Sequence, residues 1–156
     1  MNALLIAALL SFGSAAAAVD HKAAQLEYLK GMLTERRGAL PEALAAYEAA
    51  LRLDPQSAFI SREAAEVALE LGQNEKALTL AQRLIELEPQ SAASLVLLGR
   101  VRWVMGDSEA AEKSFDAALK LDPKLAEAIF SLGGLVAAHS PEKARALLSR
   151  FLDQNP

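Results

Sequence analysis

Apolar residues recur along this chain at two nested spacings. Within residues 39–55, 73–89, 107–123 and 140–156 they fall at i, i+4 and i+7: Ala43, Tyr47 and Ala50; Ala77, Ala81 and Leu84; Ala111, Phe115 and Ala118; Ala144, Leu148 and Phe151. That spacing draws one buried stripe along a helix. Each segment closes on a proline, and Pro55, Pro89, Pro123 and Pro156 recur at a single period, with only the last arriving one place early. Proline ends a helix because it has no amide hydrogen to donate and disfavours a helical residue before it.

Before each of these helices lies another, marked by a residue without bulk: Gly31, Ala65, Gly99 and Gly133, which keep the same period throughout. Such a residue in mid-helix is a cost unless a neighbouring helix must come close. It recurs in phase with Ala43, Ala77, Ala111 and Ala144, which predicts close antiparallel pairing of the two helices. Gly38, Gly72 and Gly106 fall at the turn between the paired helices, where a positive φ suits glycine. The fourth unit has no such glycine. His139 leads through Ser140 and Pro141, which predicts a turn shorter by one residue, an N-cap at Ser140 and the first helical position at Pro141. Ser57 and Ser91 are the expected N-caps after the first two prolines.

A helix, a glycine turn, a helix and a proline stop, repeating at a period of about 34 residues, resembles the tetratricopeptide repeat family. The resemblance covers roughly residues 24–156. It implies an all-α, right-handed α-solenoid of about four helix pairs, with repeats at about 24–57, 58–91, 92–125 and 126–156. At the family's tryptophan-like place stand Glu27, Ser61, Leu95 and Ile129, so the first two repeats depart from the pattern there.

The whole chain, 53 % hydrophobic and only 5 % aromatic, has the composition of an all-helical unit, and no stretch reads as a linker, so residues 19–156 are expected to form one domain. The net charge of −4 is spread along the helices, and with no basic face a nucleic acid is not an expected partner. The chain has no cysteine, which excludes disulfides, thiolate metal sites, a thiol nucleophile and a lipidated bacterial anchor. Its two histidines, His21 and His139, have no ligand-spaced neighbour in sequence and read as solvated residues. Glu63, Glu66 and Glu70 follow the spacing of a solvated helix face, and Arg36–Arg37 suit the end of the first helix. No nucleophile, zinc or phosphate-loop motif occurs. The expectation is a non-catalytic protein with no cofactor and no metal.

Residues 1–18 differ from the rest. An apolar run from Ala3 to Leu10, a break at Ser11–Ser14 and small residues at Ala16 and Ala18 give the layout of a secretory signal peptide cleaved before Val19. The charged residue expected near its start is missing. Two other readings stay open: a retained membrane anchor, and a cap helix packed on the first repeat. Export would place the protein in the bacterial periplasm or at the outer membrane.

The family resemblance also implies a concave groove lined by the first helix of each pair. Its second, fifth, ninth and twelfth or thirteenth places are Gln25, Tyr28, Met32 and Arg36; Phe59, Arg62, Glu66 and Leu69; Ala93, Val96, Arg100 and Trp103; Glu127, Phe130, Gly134 and Ala137. From these, Tyr28, Met32, Arg36, Phe59, Arg62, Leu69, Val96, Arg100, Trp103 and Phe130 are the expected partner-binding residues. Arg100 and Trp103, one turn apart, suggest a joint cation and ring surface. Family members that hold acidic chaperone tails use Lys, Asn and Arg at places occupied here by Tyr28, Met32, Glu63, Ala93 and Leu97, so that ligand is disfavoured. The expected function is a protein-binding scaffold of the cell envelope, taking a segment of another protein. The alternative is self-assembly into a homo-oligomer through an open terminal stripe at Leu148, Phe151 and Leu152.

Overall fold

The computed structural model describes residues 20–154 as eight helices: α1 His21–Glu35, α2 Leu40–Leu53, α3 Ala58–Glu70, α4 Asn74–Leu87, α5 Ala92–Val104, α6 Ser108–Leu121, α7 Ala126–Val136 and α8 Pro141–Gln154. The expected segment 1–18 and Pro156 lie outside the described residues.

Local chemistry fixes where each helix begins and ends. The side chains of Asp20, Ser57, Ser91 and Asp107 accept the amides of Ala23, Ile60, Ser94 and Ala110 at the starts of α1, α3, α5 and α6. Gly38, Gly72 and Gly106 take φ of +76°, +70° and +85°. The amide after each glycine then reaches back along the chain, from Ala39 to Thr34, Gln73 to Ala68 and Asp107 to Arg102, which satisfies a carbonyl of the ending helix. In the fourth unit the Ser140 amide makes a shorter reach, to Val136 at 2.7 Å, and α8 starts at Pro141. The shorter turn therefore needs no glycine. Before three of the prolines the chain leaves the helical conformation, with φ of −130°, −131° and −133° at Asp54, Glu88 and Asp122.

The two helices within a repeat pair closely, as the small residues predict. The atoms nearest to Gly31 and Gly99 belong to the aromatic place of the second helix, one turn beyond its alanine. A Cβ added at Gly31 would stand 2.5 Å from the Tyr47 ring, and one at Gly99 would stand 2.5 Å from that of Phe115. Both rings are fully buried. The second repeat solves the same contact with Ala65 and Ala81, both fully buried, and the fourth is loose, with Leu148 3.9 Å from a Cβ at Gly133.

Successive helices pack on one another, and the first helices also touch along the stack, α3 on α5 and α5 on α7. One core cluster joins Tyr47, Ala64, Ala81, Leu84, Leu97 and Val101, and another joins Val96, Phe115, Leu132 and Val136. Helix α5 serves both, so the core runs through the stack as a line of nearest-neighbour contacts. Ion pairs tie the second helices together: Lys76 to Glu48 and Lys143 to Glu112, each at 2.6 Å. The Lys143 hydrogen bond holds the Glu112 carboxyl below the usual carboxylate range.

Candidate binding face

The face lined by α1, α3, α5 and α7 begins with a cluster of three rings. Tyr28 lies over the buried Tyr47, centroids 5.7 Å apart, and tilts against Phe59 at 5.0 Å. Phe59 is 54 % exposed. Tyr28, Phe59 and Ile60, with His21, Gln25, Asp54 and their neighbours, line a cleft of about 300 Å³. His21 is exposed, as expected of a solvated residue, and its Nδ1 stands 3.3 Å from Asp54, which the stacking of the first two repeats brings beside it. His139 likewise has Glu112 at 3.9 Å.

A second cleft of about 300 Å³ follows, lined by Met32, Glu35, Arg36 and Glu63. The Tyr47 hydroxyl donates to Glu35 at 2.6 Å from below. Burial pushes the Tyr47 hydroxyl well above its ordinary pKa, and the bond to Glu35 adds to it. Tyr28 is shifted the same way, first by burial and then by Glu63 and Glu35.

Glu63 corrects one expectation. Glu66 and Glu70 are solvated as their spacing suggests, but Glu63 is half-buried. Burial raises its pKa, and Glu66 and Glu35 raise it further. An acid whose folded pKa lies above its unfolded one binds more protons when folded, so it costs stability once the pH passes the ordinary carboxylate range. Glu63→Gln is therefore expected to raise the melting temperature at pH 7 and to leave it nearly unchanged near pH ~4, where both states are largely protonated at this place. Melting curves at the two pH values check this; an equal shift at both would contradict it.

Beyond the clefts the expected arginines are already engaged. Arg62 donates to Glu88 and to the buried Ser94, each at 3.0 Å, while Ser94 donates to Glu88 at 3.0 Å. The triad braces α3, the end of α4 and α5, so Arg62 serves as a strut between repeats. Arg100 faces Glu127 at 3.3 Å across α5 and α7. Trp103 reaches α7 farther along, where its ring would stand 3.3 Å from a Cβ on Gly134. The two side chains thus serve different contacts. Arg102 donates to Ser114 at 2.8 Å.

Trp103 and Phe130 remain 40 % and 54 % exposed, and Phe130 meets Phe151 edge-on at 5.3 Å. Met32 is half-buried and Arg36 exposed. Val96 is fully buried in the core beside Phe115, out of a ligand's reach. Leu69 packs half-buried against the other core cluster. At the far end Leu152 is exposed, Leu148 is partly so, and Phe151 is half-buried.

The sequence model of the tetratricopeptide repeat matches residues 6–58 and 62–126, and the chain belongs to that family. No curated protein matches it. Among solved structures it is similar to the first tetratricopeptide domain of Spaghetti (RPAP3) bound to the HSP90 peptide SRMEEVD. That match has 22 % identity and a TM-score of 0.73, over 78 % of this chain and 97 % of that one. It is also similar to MamA from Desulfovibrio magneticus RS-1 (20 %, 0.77, over 83 % and 74 %). A thermophilic tetratricopeptide protein of Thermus thermophilus matches too (23 %, 0.73, over 85 % and 75 %). At these identities the likeness shows the fold. A repeat stack of this family supports a protein–protein interaction scaffold with a protein or peptide partner.

Proposed function

We propose that the protein binds an extended or helical segment of another protein along α1, α3, α5 and α7. The observation that carries this reading is the exposure of three large rings, Phe59, Trp103 and Phe130, on successive first helices. Large apolar side chains left in water on one face are the residue types that dominate binding energy. The anchors are mainly aromatic, because Arg62 and Arg100 already face Glu88 and Glu127, which leaves Arg36 of the three expected arginines for a partner. A partner with apolar side chains at alternating contacts therefore suits the face better than one read through its carboxylates.

Affinity capture with the wild-type chain and a Phe59→Ala/Trp103→Ala bait tests it. The double variant is expected to weaken the captured complex about tenfold or more, the effect of removing hot-spot rings. Equal retention by both baits would refute groove binding.

Self-association through α8 is the second reading, favoured by the 66 % exposure of Leu152. It requires a mass that rises with concentration and falls back in Leu152→Asp. A role in the bacterial envelope follows only if residues 1–18 direct export, and the N-terminus of protein purified from its host decides that.

A further inference from the structure

Helix α1 carries three exposed leucines in a row, Leu26 at 66 %, Leu29 at 48 % and Leu33 at 54 %. Their spacing of three and four puts them on one face. The same places in the other repeats are Ile60, Glu63 and Val67; Ser94, Leu97 and Val101; Ala128, Ser131 and Leu135. All of these are buried or half-buried. In repeats two to four the second helix of the preceding repeat packs on the first helix, α2 on α3, α4 on α5 and α6 on α7. No described residue does this for α1. The leucines thus mark a seat shaped for the second helix of a repeat.

We infer that residues 6–19 of this chain occupy that seat as a half-repeat. The family match begins at residue 6, one full repeat period before Leu40, the first residue of α2. Residues 6–19 have the length of α2, α4 and α6, which are 14 residues each. The repeat register continues back through Asp20, which stands one period before Asp54, as Asp54 does before Glu88 and Glu88 before Asp122. Leu10 falls at the place of the buried Leu44, and Ala16 at that of the buried Ala50, Leu84 and Ala118. No charge occurs between Ile6 and Val19.

This inference does not depend on the groove, and it excludes cleavage before Val19, since cleavage would remove the occupant. The test is amide hydrogen exchange on the full 156-residue chain. Amides of residues 8–18 are expected to exchange at least ~100-fold slower than an unstructured chain, independently of protein concentration. Leu29→Asp, at an exposed place that the rest of the fold tolerates, should abolish that protection and leave α3–α7 unchanged. Exchange at the unstructured rate in the wild type would overturn the inference. Protection that appears only at high concentration would assign the seat to a second copy and overturn it too. Protein from the native host that begins at Val19 would overturn it as well.

Discussion

Phe115→Ala is expected to lower the free energy of unfolding by about 3–5 kcal/mol, the usual cost of emptying a large aromatic site in a core. Phe115 is fully buried and sits in one cluster with Val96, Ala111, Ala118 and Leu132. Its ring closes over Gly99, so removing it would leave a void at the contact that holds α5 to α6. The alanine at the equivalent Ala81 does not predict tolerance, because that repeat pairs it with Ala65, whose Cβ takes up part of the space. Urea denaturation checks the value. A loss under about 1 kcal/mol would mean that the repeat collapses around the gap and that the ring is not its keystone.

Alanine at the paired glycines should then give opposite signs in different repeats. In an ordinary helix Gly→Ala stabilises by roughly 0.5–1 kcal/mol, because alanine loses less backbone freedom on folding. At Gly99 and Gly31 the new Cβ would stand 2.5 Å from a buried ring that has nowhere to move, so each substitution is expected to cost about 1–3 kcal/mol. At Gly133 the nearest atom, on Leu148, is 3.9 Å away, and the ordinary gain should appear. Thermal melts of the three variants decide it. Stabilisation by all three would show that the small residues are not there for the rings.

Much of this was legible in the chain itself. Prolines, turn glycines and serine caps act within a few residues, so their positions fixed the helix boundaries at once. The small-residue beacon was visible as a period, but its partner was not, because the aromatic place and the alanine place lie on the same stripe one turn apart. Glu63 shows a signal that was present and passed over. Its equivalents are Leu29, Leu97 and Ser131, so a carboxylate there breaks a largely apolar column, which helical spacing alone reads as a solvated face. Arg62 could not have been resolved from sequence. Its partners Glu88 and Ser94 lie far along the chain, and only the stacking of one repeat on the next brings them to 3.0 Å. Val96 was placed in the groove by family register, yet packing toward the fourth repeat draws it into the core.

The proposed binding face is centred on Phe59, Trp103 and Phe130, which the assembled stack leaves exposed. The most direct measurement is a hydrogen-exchange footprint of the captured partner on this chain. Binding along the ring-bearing face predicts slowed exchange in α1, α3, α5 and α7, strongest around Phe59, Trp103 and Phe130, with α2, α4, α6 and α8 unchanged. A footprint confined to the second helices, or to α8 around Leu152, would contradict it.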